Sequence, residues 1–283
     1  MATHIVDTMI EERSGRFGSH PVVWNTTKFF LYPLLKYRQA VGLADRIRHM
    51  EARDIFEFTR DLLDLNVEIS GADNIPKEGR FILAPNHPTL ADMFPIYDVL
   101  RHVRPDFTLI ATKDAVRVAQ NLMDLLIPVD VDTHSQDRHT SRQVLQRVMR
   151  TFKEERALII FPSGGLARLR EGRLREQPWF PTPINLSRKF EAPIVPLHIS
   201  GKNSWLYYMF GKVSRELRDM TVFYEILNKE RATYKLTFGA PIDPKAIPNE
   251  PHAAISKLQA YVEDVLPSLH QNRPQTPVSL SPF

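Results

Sequence analysis

The chain has 283 residues, 43% hydrophobic and 25% charged, which is enough apolar material for one globular domain of good size with an appendage and too much for a disordered or fibrous protein. It has no Cys, which excludes disulfides, a thiol nucleophile and thiolate zinc sites, and leaves His and Ser as candidates for base or covalent chemistry. The net charge of +4 is modest but uneven: residues 13 to 44 hold five bases and no acid, and residues 138 to 175 hold ten bases against three acids. A nucleic-acid face shares part of this character, yet no nucleic-acid-binding motif accompanies it, and an anionic lipid surface or a phosphorylated carrier fits as well.

The opening residues lack the basic and apolar regions of a signal peptide. Residues 21 to 41 mix aromatics, aliphatics and bases, a composition that suits a membrane interface, with Trp24, Tyr32 and Tyr37 at headgroup depth, or else an amphipathic helix packed on the domain. The apolar run from Phe29 to Leu35 falls short of the roughly 20 residues that a spanning helix needs. Asp45 to Leu65 reads as a charged amphipathic helix. Residues 1 to 65 are thus predicted to form a helical segment, membrane-associating or packed on the domain.

Val67 to Ile69 alternates like a strand and leads into a turn at 74 to 79. Phe81-Ile82-Leu83-Ala84 is the continuous apolar run of a buried strand, and Pro85 and Pro88 stop it. His87 therefore sits at a strand end, held out of the helical region by Pro88. Pro95 is tolerated in a first helical turn, so a helix starts near Asp92 and runs to Leu100. A strand-turn-helix corner then brings His87 and Asp92 together. Such a pair has a chemical use: neutral imidazole takes a proton from an attacking hydroxyl, while the carboxylate fixes its tautomer and stabilises the imidazolium that forms. A plainer reading makes Asp92 an N-cap, or part of a capping box with Thr89, and leaves His87 bonded to its own turn. His49 and Asp54 repeat the interval inside a charged helical stretch, so the spacing alone is weak and the strand-Pro-Asn-His-Pro setting is what informs.

Phe107 to Ala111 is the next strand, ending at Lys113. Val116 to Leu126 is read as a short helix, 130 to 136 as a polar loop and Ser141 to Lys153 as a helix. Ala157 to Phe161 is a buried strand leading to Pro162-Ser163-Gly164-Gly165 and an Arg-rich loop. Ile184 to Phe190 is helical; Pro193 to Ile199 and Thr233 to Phe238 are strands. Ser204 to Phe210 is an aromatic cluster belonging to the core or to a second lipid contact. A terminal helix spans Pro248 to Leu266, and Pro, Ser, Gln and Asn from 267 onward predict a disordered or loosely draped tail. The alternation predicts an α/β domain over 66 to 266, with a mainly parallel mixed sheet, helices on both faces, and ligands beyond the carboxyl ends of the strands. His87, Lys113 and residues 162 to 165 all fall there.

Asn86-His87-x4-Asp92 resembles the N-H-x4-D motif of the glycerolipid (lysophosphatidic-acid-type) acyltransferase superfamily. Three further blocks follow in that family's order: Ala111 to Asp114, Phe161 to Gly165, and Ile194 to Leu197. The resemblance implies a peripheral acyltransferase on the cytoplasmic face of the inner membrane. It would move a fatty acyl group from a coenzyme A or acyl carrier protein thioester to a lysolipid, with no metal or other cofactor. His87 would be the base and Asp92 its orienter, with Asn86 among the substrate-binding residues. Backbone N–H groups around Ser163, Gly164 and Gly165 would face the oxyanion. Lys113, Arg168, Arg170 and Arg173 would meet the donor's phosphates or a carrier's acidic face.

The family's third block commonly reads F-P-E-G-T-R, its Glu and Arg associated with a phosphate-bearing acceptor. Here Ser163 and Leu166 stand in those places, and the nearest Arg is Arg168. This variant resembles the hemolysin-like branch, which includes lyso-ornithine-lipid acyltransferases. The acceptor expected is therefore a lyso-aminolipid, with lysophosphatidic acid as the alternative. A serine hydrolase using Ser163 is a rival, though its nucleophile elbow lacks the first Gly and has Pro before the Ser. A non-enzymatic anionic-lipid-binding protein is a second rival, and it would leave the His87 corner idle.

Overall fold

The computed structural model describes residues 1–15, 18–129, 138–170 and 172–271. Four helices open the chain: α1 (Ala2–Ser14), α2 (Pro21–Leu34), α3 (Tyr37–Ile47) and α4 (Ala52–Leu63). The alternating part follows as β1 (Asn66–Ser70), β2 (Phe81–Pro85), α5 (Met93–Val103), β3 (Phe107–Thr112), α6 (Lys113–Val118), β4 (Leu126–Val129), α7 (Arg138–Lys153) and β5 (Ala157–Ile159). A hairpin of β6 (Arg168–Arg170) and β7 (Arg173–Arg175) precedes α8 (Thr182–Phe190) and β8 (Ile194–Ser200). Three short helices, α9 (Trp205–Val213), α10 (Arg215–Asp219) and α11 (Val222–Leu227), lead to β9 (Thr233–Phe238). The described chain closes with α12 (Pro251–Ala260), a π-helical turn over Tyr261–Val265, and α13 (Leu266–Gln271).

Seven strands form one sheet in the order β1-β9-β8-β2-β5-β3-β4, parallel throughout except between β8 and β9. The central strands β2 and β5 are buried on both faces, which is why they read as unbroken apolar runs. Along β2, Phe81 and Leu83 point into a core closed by Phe56 of α4 and Ile96 and Leu100 of α5. Ile82 and Ala84 point the other way, against Phe152 of α7, Ile184 of α8 and Leu258 of α12. β8, β2, β5 and β3 run in one direction, so their carboxyl ends share an edge, and that edge carries the site.

The N-terminal helices build a third core. Val6, Met9, Trp24 and Ala44 pack with Leu206, Phe210 and Phe223 from the far side of the sequence. Of the two readings of residues 21 to 41, the packed helix is the one that Trp24, Tyr32 and Tyr37 follow. Trp24 is buried and donates its indole N–H to Glu11 Oε1 at 3.0 Å, and the stacked rings of Tyr32 and Tyr37 both donate to Asp7 Oδ1 at 2.8 Å. The exposed side of α2 instead presents Val22, Val23, Phe29, Phe30 and Leu34. No described helix is long and apolar enough to cross a membrane.

Other differences have physical causes. The helix expected over 45 to 65 breaks between α3 and α4, because buried positions spaced by three or four within each helix jump by five from Ile47 to Ala52. The helix expected from Val116 to Leu126 ends early and gives way to β4, whose Pro128 is tolerated because β4 is an edge strand. The Arg-rich loop is the β6–β7 hairpin. The aromatic cluster divides, with Leu206, Tyr207 and Phe210 buried and Trp205 exposed. Residues 267 to 271, expected in the tail, belong to the helix Leu266–Gln271; the rest of the expected tail and the loop expected at 130 to 136 lie outside the described residues.

Candidate active site

The β2–α5 corner does bring His87 and Asp92 together. His87 Nδ1 lies 2.9 Å from Asp92 Oδ2, and Asp92 has no exposed surface. The same carboxylate accepts the Thr89 N–H at 2.9 Å and the Thr89 hydroxyl at 2.5 Å, while Thr89 Oγ1 stands 3.1 Å from the Tyr234 hydroxyl on β9. Asp92 makes no side-chain cap on α5. The local bond to Thr89 and the hold on His87 are thus made by one carboxylate, and the two sequence readings are not exclusive. An acceptor-only carboxylate facing Nδ1 places the proton there and leaves Nε2 with its lone pair, which is what a general base needs. The imidazole stacks on Phe161 with centroids 4.1 Å apart and keeps a fifth of its side chain open.

Asn86 stands behind this corner. Its amide donates to Ile199 O at 3.0 Å and accepts from Ile199 N–H at 2.6 Å, so both ends are taken by β8 and the residue fixes the turn instead of reaching a substrate.

The loop after β5 comes alongside. Ser163 is fully buried, and its hydroxyl reaches Gly165 O at 2.7 Å and Glu176 Oε1 at 3.2 Å, with no bond to His87. A serine nucleophile needs a base within hydrogen-bond reach, so the hydrolase reading loses its geometry. Gly164 has φ of +63°, a conformation that favours glycine, and its N–H donates to Phe161 O at 3.1 Å. That removes Gly164 from the expected oxyanion donors. Among the described residues the amides of Ser163 and Gly165 have no protein acceptor, and of the two residues only Gly165 has open surface. Lys113 opens α6 at the carboxyl end of β3 and is exposed, as are Arg168 and Arg170 on the hairpin. The structure brings none of these three into bonding contact with His87. No described cluster of His, Asp and Glu could hold a metal.

Sequence reasoning missed Glu176. In the hairpin register Arg168 faces Arg175 and Arg170 faces Arg173, so all four guanidinium groups leave one face and Leu169 and Leu174 the other. Arg175 pairs with Glu263 at 3.1 Å and Asp264 at 2.8 Å, and the other three have no acidic partner among the described residues. The two feet of the hairpin grip His87 by its backbone. Ala167 N–H donates to His87 O at 2.9 Å, and His87 N–H donates to Glu176 Oε1 at 2.5 Å. Trp179 Nε1–H donates to Glu176 Oε2 at 2.5 Å. Burial pushes the Glu176 carboxyl up to about 7, against the downward pull of the Trp179 and His87 N–H bonds. The one sequence signal was a lone acid followed by Gln-Pro-Trp at the end of a basic run, which reads as solvated charge.

Two hollows flank the corner. A cavity of about 240 Å³ is lined by Asn86, Pro88, Ala167, Glu176, His198 and Glu263. A larger open groove of about 1030 Å³ runs past Leu169, Leu174, Trp205, Tyr208 and Tyr234.

A buried carboxylate holding an imidazole at the carboxyl edge of a mostly parallel sheet places this pair where ligands of α/β folds collect. Residues 66–200 match the family model described as Acyltransferase, and with the relatives that follow this makes the chain an acyltransferase. It is 28% identical over 198 residues to a lyso-glycine lipid O-acyltransferase of Phocaeicola vulgatus, covering 67% of this chain and 68% of that one. It is likewise 28% identical over 196 residues to a lyso-glycine lipid O-acyltransferase of Bacteroides thetaiotaomicron, covering 67% and 70%. The crystal structure of the 1-acyl-sn-glycerophosphate (LPA) acyltransferase PlsC from Thermotoga maritima matches with a TM-score of 0.50 and 16% identity, over 94% of this chain and 97% of that one, a likeness of fold.

Proposed function

We propose that this enzyme transfers a fatty acyl group from an acyl thioester to the hydroxyl of a lyso-amino-acid lipid, with His87 as general base. The observation that carries the reading is the His87–Asp92 pair, with Asp92 fully buried and Nε2 left to meet an acceptor hydroxyl. The base takes the hydroxyl proton as the oxygen attacks the thioester carbonyl. The Gly165 amide is the best-placed donor for the oxyanion, and the proton then returns to the departing thiolate. The 1030 Å³ groove mixes an apolar wall of Leu169, Leu174, Trp205 and Tyr208 with polar groups such as Lys202 and Asn203, and the apolar wall is suited to an acyl chain. The three arginines on the hairpin without acidic partners suit the donor's phosphates or the acidic face of a carrier protein.

The curated relatives are named for lyso-glycine lipid, which supports an amino-acid acceptor and favours glycine over the ornithine expected from the sequence. Ser163 and Leu166 give no bidentate grip for a phosphate monoester at the loop itself. The test is competition: purified protein, acyl thioester, and equal lyso-glycine lipid, lyso-ornithine lipid and lysophosphatidic acid. Transfer should favour the amino-acid lipids. A clear preference for lysophosphatidic acid, lost in Arg168→Ala, would overturn the acceptor.

The membrane contact we propose is the exposed, uncharged face of α2. Lys28 is engaged by Glu11, and Lys36 by Leu227 O, so Phe29 and Phe30 outweigh the bases there. Phe29→Ser with Phe30→Ser should reduce sedimentation with anionic vesicles more than raised salt does; unchanged binding would sink this contact.

A further inference from the structure

Glu176 has no step in the reaction just described. Its bond is to the backbone of His87 and not to the imidazole. Its carboxylate nevertheless collects donors from three separate stretches of chain: the β2–α5 turn through His87 N–H, the loop after β5 through Ser163 Oγ–H, and the approach to α8 through Trp179 Nε1–H. Gln177, the next residue, donates its side-chain amide to Ser163 O, and Phe180 N–H donates to Pro162 O at 2.9 Å. A carboxylate so engaged is poorly placed to bind a substrate. It is well placed to hold parts of the site in register.

We propose that Glu176 is a positioning residue for acyl transfer, locking the His87 turn to the Ser163–Gly165 loop so that the base and the amide facing the thioester carbonyl are held as one unit. In its charged form the bonds it accepts are charge-assisted and roughly twice as strong as neutral ones. Without it, two buried N–H donors lose their acceptor, and His87 keeps only the Ala167 tether on its backbone. His87 from the turn and Glu263 from the π-helical turn bear on its ionisation, and Arg175, the residue before it, and His198 line the same cavity.

The proposal rests on His87 being the base, and the experiment separates the two. Full-length protein is assayed with an acyl thioester and lyso-glycine lipid. Glu176→Ala should lower kcat about 10²-fold, the cost of misplacing a reacting group by about 1 Å, with the donor KM little changed. Glu176→Gln keeps the shape but sets an amide N–H against either Trp179 N–H or His87 N–H, whichever way it turns, and should lose about tenfold, as one charge-assisted bond is lost. Adding Trp179→Phe removes that clash, and Glu176→Gln with Trp179→Phe should regain most of the loss. On the acid side, log(kcat/KM) should fall less steeply in Glu176→Gln than in the wild type, because Glu176 must lose its proton to grip the His87 turn and the amide has none to lose. The His87 amide proton should lose its downfield NMR shift in Glu176→Ala whether or not turnover is measurable. Turnover retained in His87→Ala overturns the base and this proposal with it. Turnover lost there but kept at the wild-type level and slope in a folded Glu176→Gln overturns the proposal alone.

Discussion

His87 is held twice, by carboxylates of opposite character. Asp92 comes from five residues along the chain, takes the imidazole, and is fixed by Thr89 within the same corner. Glu176 comes from 89 residues along the chain, takes the backbone, and is fixed by Trp179. The near hold sets the chemistry of the ring, because it decides which nitrogen carries the proton. The far hold sets where the ring stands relative to the loop after β5. A local hold can be written as a spacing in the sequence; a long-range one arises only when a hairpin folds its foot back onto the turn.

The near hold should give the largest effect. His87→Ala removes the base and should cost the roughly 10² to 10⁴ that general base catalysis contributes, measured as acyl transfer by folded protein. Asp92→Asn should be nearly as severe. An amide cannot accept from Thr89 N–H and His87 Nδ1–H while also meeting the Thr89 hydroxyl with the same strength, and its N–H₂ can turn the imidazole to the wrong tautomer. If Asp92→Asn proved milder than Glu176→Gln, the ranking of the two holds would be reversed.

What was legible follows the same division. The strands β2 and β5 are continuous apolar runs ended by Pro, and β8 is a mostly apolar run ended by Gly, so their existence and the polar turns at their carboxyl ends could be read directly. The His87 corner was readable because Pro85, Pro88 and Pro95 leave the backbone few choices. The β6–β7 hairpin was not, because its alternation is only three residues long on each side, with a single Leu per strand, too short to stand out from a basic loop. Glu176 was hidden with it. The role of Asn86 was likewise invisible, since its partner Ile199 is 113 residues away. The place of the N-terminal aromatics stayed open between two readings because composition alone does not say which side of a helix finds a partner, and Asp7 and Glu11 supply partners for three of them.

The far hold has its own signature in stability. Glu176 has an ordinary carboxyl value of 4.5 unfolded and about 7 in the fold, so between those values the folded protein keeps a proton that the unfolded chain has released. Stability should therefore be fullest below about pH 4.5 for this group and be lost as pH rises through about 7, by on the order of 3 kcal/mol. The protonated form is the more stable fold and the ionised form the firmer grip on His87. Glu176→Gln cannot ionise, and its unfolding free energy between pH 5 and 8 should decline less than that of the wild type. Parallel curves for the two proteins would refute the shift.

A smaller effect should come from the loop that the far hold secures. Gly164 combines φ of +63° with a site where an added Cβ would stand 3.2 Å from Phe180 Cε2. Gly164→Ala should cost on the order of 1 to 2 kcal/mol of stability. Transfer should slow as the Gly165 amide shifts, while the His87–Asp92 pair is unmoved. Denaturant melts check the first part, and kcat with unchanged acid-limb slope checks the second.

The smallest effect, none, is expected where the spacing of the near hold recurs without its setting. His49 lies in the turn between α3 and α4 and Asp54 in the first turn of α4; both are exposed, and no hydrogen bond joins them. The interval is five residues, as in His87 and Asp92. No strand end restrains this His, no Thr fixes this Asp, and water solvates both, so the pair has neither a fixed tautomer nor a buried carboxylate to stabilise an imidazolium. His49→Ala and Asp54→Asn, singly or together, should leave kcat/KM unchanged and stability within about 0.5 kcal/mol. A loss of turnover in either folded variant would mean that the interval, and not the buried corner around it, marks the working pair.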